Sequence, residues 1–358
     1  MDAQEPAAPA SARQGLYEAS SQYKHWRFSP AQLQRMRENM TNSAAATIRA
    51  AFERDEAGPS SKVEFITPAD ESALVRHYAT KVPQLCAHFR FSEELEATAI
   101  SYMKRFYLKN TVMDHHPKNI MLTALFLAAK TCNRMVAIDD YVNNIPKTNA
   151  ADVLDLEFPL AQSLNFEFAV WHAHRALWGL FLDLQSLDPP PSQDALHDAH
   201  KVALDAIRRS RLTDVELLYT PSQIALACLR RADAQLAQQW LMSKAARDPA
   251  ISSDLTSVLD SISFTIDADG ASPPVEVVRE IDRRLKLCKN PEKVPGSRAF
   301  LRRQAEIEAI AAAKRKKKAD RARAAMAAED PFGDGMGANN GPHAPYGAES
   351  RMDVDTGL

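Results

Sequence analysis

The sequence predicts an all-α protein made of two copies of one helical domain, and three observations carry that expectation. First, steps of three and four residues recur from about residue 68 to about 270, as in Leu74, Tyr78, Lys81, Leu85 and Phe89, or in Ile100, Met103 and Phe106. Second, no stretch alternates as a strand, and no Asn-Gly or Asp-Gly turn joins β-branched runs. Third, an apolar segment returns. PKNIMLTAL (Pro117–Leu125) lies beside PSQIALACL (Pro221–Leu229): Pro, Ile, Leu and the final Leu match, and Asn119 corresponds to Gln223. A helix apolar on every side is one that other helices surround. Two of them about a hundred residues apart are too widely spaced for a solenoid and fit a duplicated domain.

The elements follow in order. Residues 1–20, rich in Ala, Ser and Pro, read as a disordered lead-in. Residues 21–67 hold an N-terminal helix and a linker. Ser29-Pro30-Ala31-Gln32 starts the helix, with Ser as N-cap, Pro in the first turn and Gln three residues after the cap. Residues 55–62 (DEAGPSSK) break the chain, and Thr67-Pro68 opens the next helix. The first domain is expected over 68–168, with breaks near Asn110 and Asn144–Pro146 and a helix from Ala150 to Phe166. The second is expected over 169–270, with breaks at Asp188–Pro191 and Gly270–Pro274 and a capping box at Thr220-x-x-Gln223. Residues 271–330 hold an amphipathic helix from Val275 to Cys288 and a long, mostly unshielded helix from Ala299 to Ala328. Between Arg298 and Arg323 stand ten Lys/Arg and three Asp/Glu, a net +7. Residues 331–358 are Gly, Asn, Pro and acid and read as a disordered tail.

Composition narrows the function classes. The 358 residues, 45% hydrophobic, suffice for two ordinary cores. A net charge of −2 gives no overall field that selects a nucleic-acid partner. The four cysteines stand apart with no C-x-x-C pair, which excludes a zinc ribbon and favours a reducing compartment. The N-terminus has no apolar signal region, and Ile120–Ala129 is about half of a membrane span. No phosphate-binding glycine loop, nucleophile elbow or H-E-x-x-H occurs. Asp114-His115-His116 is more simply a helix cap than a metal site. Asp194, His197 and His200 lie on an exposed face without cysteine support. With no catalytic constellation, cofactor or metal expected, the chain reads as a binding protein.

Two residues stand out. Lys130 ends the apolar run, where a lysine favours the negative end of the helix dipole with its stem on the core. Glu157 lies on the row Val153, Glu157, Leu160, Leu164. A carboxylate in an apolar row is costly unless paired, and its partner is Lys130, another chain, or solvent at the edge of the row. An apolar surface with one acid and one base suits a partner protein. Pro159 should kink the same helix or remove a hydrogen bond. The run Lys314, Arg315, Lys316, Lys317, Lys318 reads as a nuclear import signal, a nucleic-acid contact or a solvated helix end. Of the Ser/Thr-Pro pairs, only Ser272-Pro273 lies in a loop and suits phosphorylation.

Four blocks then become specific. SSQYKHWRFS (Ser20–Ser29), the segment from Tyr102 to Lys130, LAQSLNF (Leu160–Phe166) and TDVELLYTPSQIAL (Thr213–Leu226) resemble the cyclin family, in order, over roughly residues 20 to 290. The first and last are not shared by cyclins in general and are similar to the cyclin H type. The resemblance implies two tandem five-helix cyclin boxes with flanking N- and C-terminal helices. It implies a regulatory subunit, not an enzyme, that binds and activates a cyclin-dependent kinase. That kinase phosphorylates the activation loops of other such kinases and, within transcription factor IIH (TFIIH), the RNA polymerase II C-terminal repeats. The implied partners are the kinase catalytic subunit, a RING-finger assembly factor and the TFIIH core. The implied location is nuclear, with no membrane and no direct sequence-specific DNA binding. In the family, residues matching Lys130 and Glu157 meet the kinase backbone around its αC helix, and those matching Leu127 and Phe166 line the same surface. There are departures: Thr131-Cys132-Asn133 follow the lysine where many cyclins carry acids, Pro159 replaces an aliphatic residue, and the M-R-A-I-L substrate-docking motif is missing around Glu71–Val75. The alternatives are another transcriptional cyclin of the cyclin C kind, or a cyclin-fold transcription scaffold without a kinase.

Overall fold

The computed structural model describes residues 15–54, 63–245 and 252–328. The expectations for residues 1–14, for the break at 55–62 and for the tail at 331–358 lie outside these. Among the described residues every regular element is a helix. The chain divides into two units, Met1–Leu301 and Arg302–Leu358.

The first unit starts earlier than composition suggests. Residues 15–20 form a turn, with Ala19 N donating to Gly15 O at 3.1 Å. Tyr17, the single aromatic among the first twenty residues, sits edge-on to Tyr23 and Trp171, so the lead-in expected to Ser20 stops short of this turn. Ser20 caps α1 (Ser21–His25), its Oγ accepting from Tyr23 N. In α2 (Pro30–Arg54) Ser29 and Gln32 cap each other reciprocally.

The first bundle comprises α3 (Pro68–Ala79), α4 (Val82–Phe89), α5 (Glu93–Phe106), α6 (Pro117–Thr131), α7 (Ile138–Asn143) and α8 (Ala150–Ser163). The row from Leu74 to Phe89 spans two helices, not one. Pro83, near the start of α4, has no N–H and its ring would meet the carbonyl of Ala79, so the helix stops at Thr80. Helix α8 ends at Ser163, short of the expected Phe166, and runs through Pro159 without a break. The second bundle comprises α9 (Ala173–Gln185), α10 (Gln193–Ser210), α11 (Val215–Leu218), α12 (Pro221–Ala232), α13 (Ala234–Ala245) and α14 (Ser252–Asp269). Its core gathers round α12 as the first gathers round α6. Helix α15 (Val275–Leu287) returns to the first bundle, placing Val278, Ile281 and Leu285 in that core. Helix α16 (Arg298–Ala328) carries the chain into the second unit.

The two bundles meet across a charged face of α5. Arg211, 6% exposed, reaches Glu93 at 2.7 Å and Glu96 at 2.8 Å. Lys104 donates to Thr213 O at 2.8 Å and lies 2.9 Å from Glu216. The N-terminal block seals this junction. Gln22 exchanges hydrogen bonds with the backbone of Trp171 between the bundles. Trp26 packs with Leu33, Leu108 and Leu217 and donates to Glu167 at 2.7 Å. Arg37 grips Asp214 through both carboxylate oxygens. Glu71 is also buried here, with one oxygen lacking a hydrogen-bond partner. Desolvation, reinforced by Asp114 and Asp70 and opposed by Arg37, pushes its carboxyl up to about 8.

Two outcomes are expected. Trp26→Ala should lower unfolding stability by about 3–5 kcal/mol in urea titrations, as for other fully buried aromatics; a loss under about 0.5 kcal/mol, as at surface positions, would contradict the docked arrangement. Glu71 has a folded value above its unfolded one, so its proton is held more tightly in the folded chain. That stabilisation is complete below the unfolded value near 4.5 and is lost as pH rises through about 8. Wild-type stability should therefore fall between about pH 5 and 8 relative to Glu71→Gln; parallel pH profiles would refute this.

Candidate partner-docking site

Helix α6 explains why Lys130 stands where it does. Every residue from Ile120 to Ala129 is buried. Thr123 is tolerated there because its hydroxyl bonds Asn119 O and Val153 O, at 3.0 and 3.3 Å. Tyr141 OH donates to Leu122 O, tying α7 to the same helix. The helix stops at Cys132, where Asn133 turns left-handed (φ 56°) and Arg134 N bonds back to Ala129 O at 2.8 Å. Lys130 is thus the first side chain after the buried run to reach solvent. Its stem crosses the Phe126 ring, with Nζ 4.5 Å from the centroid.

Glu157 is held opposite by α8. Asn149 and Asp152 form a capping box that starts this helix. Val153, Leu160 and Leu164 are fully buried, so the row containing Glu157 faces inward and Glu157 sits at its rim. The carboxylate lies 2.6 Å from Lys130 Nζ, so of the partners the sequence left open the structure selects Lys130. The pair is 38% and 24% exposed.

Phe166 completes the surface. Asn165 and Phe166 both adopt left-handed backbone, at φ 55° and 58°. A bulky residue there costs about 1–3 kcal/mol and persists only where the surroundings impose it. Here Phe166 N bonds Ala161 O and Lys109 Nζ holds Asn165 Oδ1 at 2.6 Å. The outcome is an aromatic ring 55% exposed, 6.1 Å from Phe158 and 6.5 Å from Phe168.

The expectation for Leu127 needs correction. It is 5% exposed and lies within the core cluster, so it supports this surface from beneath rather than lining it. Sequence reading missed Leu154 and Phe158, which are exposed on α8. They flank the buried row one residue after Val153 and Glu157, and an apolar pair off the core face was the available signal. The two histidine groups fall elsewhere. His116 caps α6, its Nδ1 accepting from Lys118 N. His197 and His200 pack on Phe181. Among the described residues no group of three or more His, Cys, Asp or Glu is arranged to hold a metal. No described helix is long and apolar enough to cross a membrane. Lys314 to Lys318 are exposed on α16, and Ser272 is exposed between α14 and α15.

Comparison with known proteins agrees with this architecture. The cyclin N-terminal domain matches residues 69–169 and the cyclin C-terminal domain matches residues 172–267, one on each bundle. Cyclin-H1-1 of Arabidopsis thaliana is 32% identical over 229 residues, 62% of this chain and 68% of that protein. A chain in the structure of the CAK complex from Chaetomium thermophilum bound to ATP-gamma-S is similar with a TM-score of 0.73 at 29% identity. The match covers 82% of this chain and 94% of that one. A chain of the yeast TFIIK (Kin28/Ccl1/Tfb3) complex is similar with a TM-score of 0.57 at 31% identity, over 70% of this chain and all of that one. Two cyclin domains in tandem, with relatives of the cyclin H type, establish that the chain belongs to the cyclin family and within it to cyclin H.

Proposed function

We propose that the chain is the regulatory subunit of a cyclin-dependent kinase-activating kinase, and that the kinase docks on the surface of Lys130, Glu157, Phe158 and Phe166. The observation that carries the docking assignment is the exposed ion pair beside a strained, exposed aromatic. A half-exposed pair contributes about 0–1 kcal/mol to folding, and the Phe166 backbone opposes folding. Neither is explained by stability, while both suit a partner that takes over the charges and covers the ring. Activation is then a population shift. A cyclin that binds only the arrangement with αC inward favours the kinase Lys–Glu ion pair in proportion to its differential affinity.

The same reading supplies the finer assignments. The chain itself performs no catalysis. The third subunit is a RING-finger assembly factor, and the whole joins the TFIIH core to phosphorylate polymerase repeats in the nucleus, with Lys314–Lys318 serving import. The substrates also include the activation loops of other cyclin-dependent kinases.

Tagged wild-type chain should capture one cyclin-dependent kinase and a RING-finger protein from nuclear extract. The exchange Lys130→Glu with Glu157→Lys keeps an internal ion pair, so it should fold as wild type yet lose the kinase. Recovery of polymerase or DNA-bound factors without a kinase would replace this function by that of a scaffold. Glu157→Gln alone should change stability by less than about 1 kcal/mol. Phe166→Gly relieves the left-handed strain, so its urea midpoint should hold or rise while kinase affinity drops; a large fall in the midpoint would make Phe166 a structural residue.

A further inference from the structure

We infer that α16 is a sequence-independent arm for double-stranded DNA, gripping the phosphates on both walls of a groove. The described part of the second unit is one helix whose residues 312–324 are exposed. Seven of the ten residues from Lys314 to Arg323 are Lys or Arg, and Asp320 is the single acid among them. The chain as a whole carries −2, so this is a local concentration of charge against the overall balance.

The placement of the cations narrows the partner. Successive helical residues step by about 100°. Lys314, Lys317, Lys318 and Arg321 therefore form one stripe, while Arg315, Lys316 and Arg323 point to the other sides. A protein surface or a bilayer would meet only one face. A membrane helix would also need bulky apolar residues opposite its charges, and here the neutral positions from 312 to 324 are all alanine. A helix about 10–12 Å across fits a major groove about 12 Å wide, where phosphates stand on both sides. Residues 302–324 contain no aromatic on which an unpaired base could stack, which disfavours single strands. From Lys314 to Arg323 there is no Asn or Gln to read adenine, and Lys and Arg side chains engaged with phosphates rather than guanine edges carry no sequence information, so binding would be indifferent to sequence.

The test uses the full chain and a labelled 30-base-pair duplex of arbitrary sequence, titrated by fluorescence anisotropy at several salt concentrations. Each phosphate neutralised contributes about −0.9 to the slope of log affinity against log salt, so seven cations set a limit of about −6. Changing Lys314, Arg315, Lys316, Lys317 and Lys318 to Gln retains good helix formers and should flatten the slope by about 4. Changing the four lysines to Arg should leave the slope intact. Circular dichroism would confirm equal helix content. The inference is overturned if the glutamine variant binds the duplex as wild type does. It is overturned equally if wild type prefers single-stranded RNA, phosphatidylserine vesicles or polyglutamate to the duplex.

Discussion

From Ile120 to Ala129 no residue of α6 reaches water. Such a helix is stable only inside a sheath, and α3, α5 and α8 supply it. The constraint propagates outward. Because the interior accepts no lone amine, the first charged residue has to stand where the sheath ends, and α8 brings Glu157 to that same rim. The hydroxyl of Thr123 and the phenol of Tyr141 lock α8 and α7 onto α6 through its backbone and that of Val153. The candidate surface is thus built where the buried helix ends, on α8 and the turn after it, with the core directly beneath.

The second bundle repeats the device. Pro221 starts α12 as Pro117 starts α6, and both central helices are buried along their apolar runs. The two cores do not merge. They meet through Arg211, Lys104, Glu93 and Glu216, a charged seam that requires good pairing because its members are withdrawn from water. The N-terminal block closes one side of that seam. Gln22 and Trp26 bind residues between and on both bundles, and through Glu167, the neighbour of Phe166, the same segment also braces the turn at the edge of the candidate kinase surface.

Much of this was legible in the sequence because it is local or periodic. The apolar runs announced both central helices, and Ser-Pro and Thr-Pro caps placed the starts of α2, α3 and α12. Glu157 was conspicuous as an acid in an apolar row. What escaped were features decided by three-dimensional context. The break at Thr80 is set by a proline two residues into the next helix. The left-handed backbone of Asn165 and Phe166 carries no glycine to announce it. The burial of Leu127 depends on what lies over it, and the exposure of Leu154 and Phe158 on which side of α8 the core occupies. Tyr17 was lost in the averaged composition of an Ala- and Ser-rich segment. Composition separates the basic α16 from the rest, and the spacing of its cations already distributes the charge around the expected helix.

The central claim is that the rim of α6, the outer face of α8 and the strained turn after it form one docking surface. Hydrogen exchange of the full chain, alone and with its cyclin-dependent kinase bound, tests it directly. The account predicts slowed exchange in the turn from Thr131 to Val136 and in the segment from Asn165 to Phe168, with the exposed face of α9 and α10 unchanged. Slowing confined to α9 and α10, with both turns exchanging as in the free chain, would place the kinase elsewhere and contradict the account.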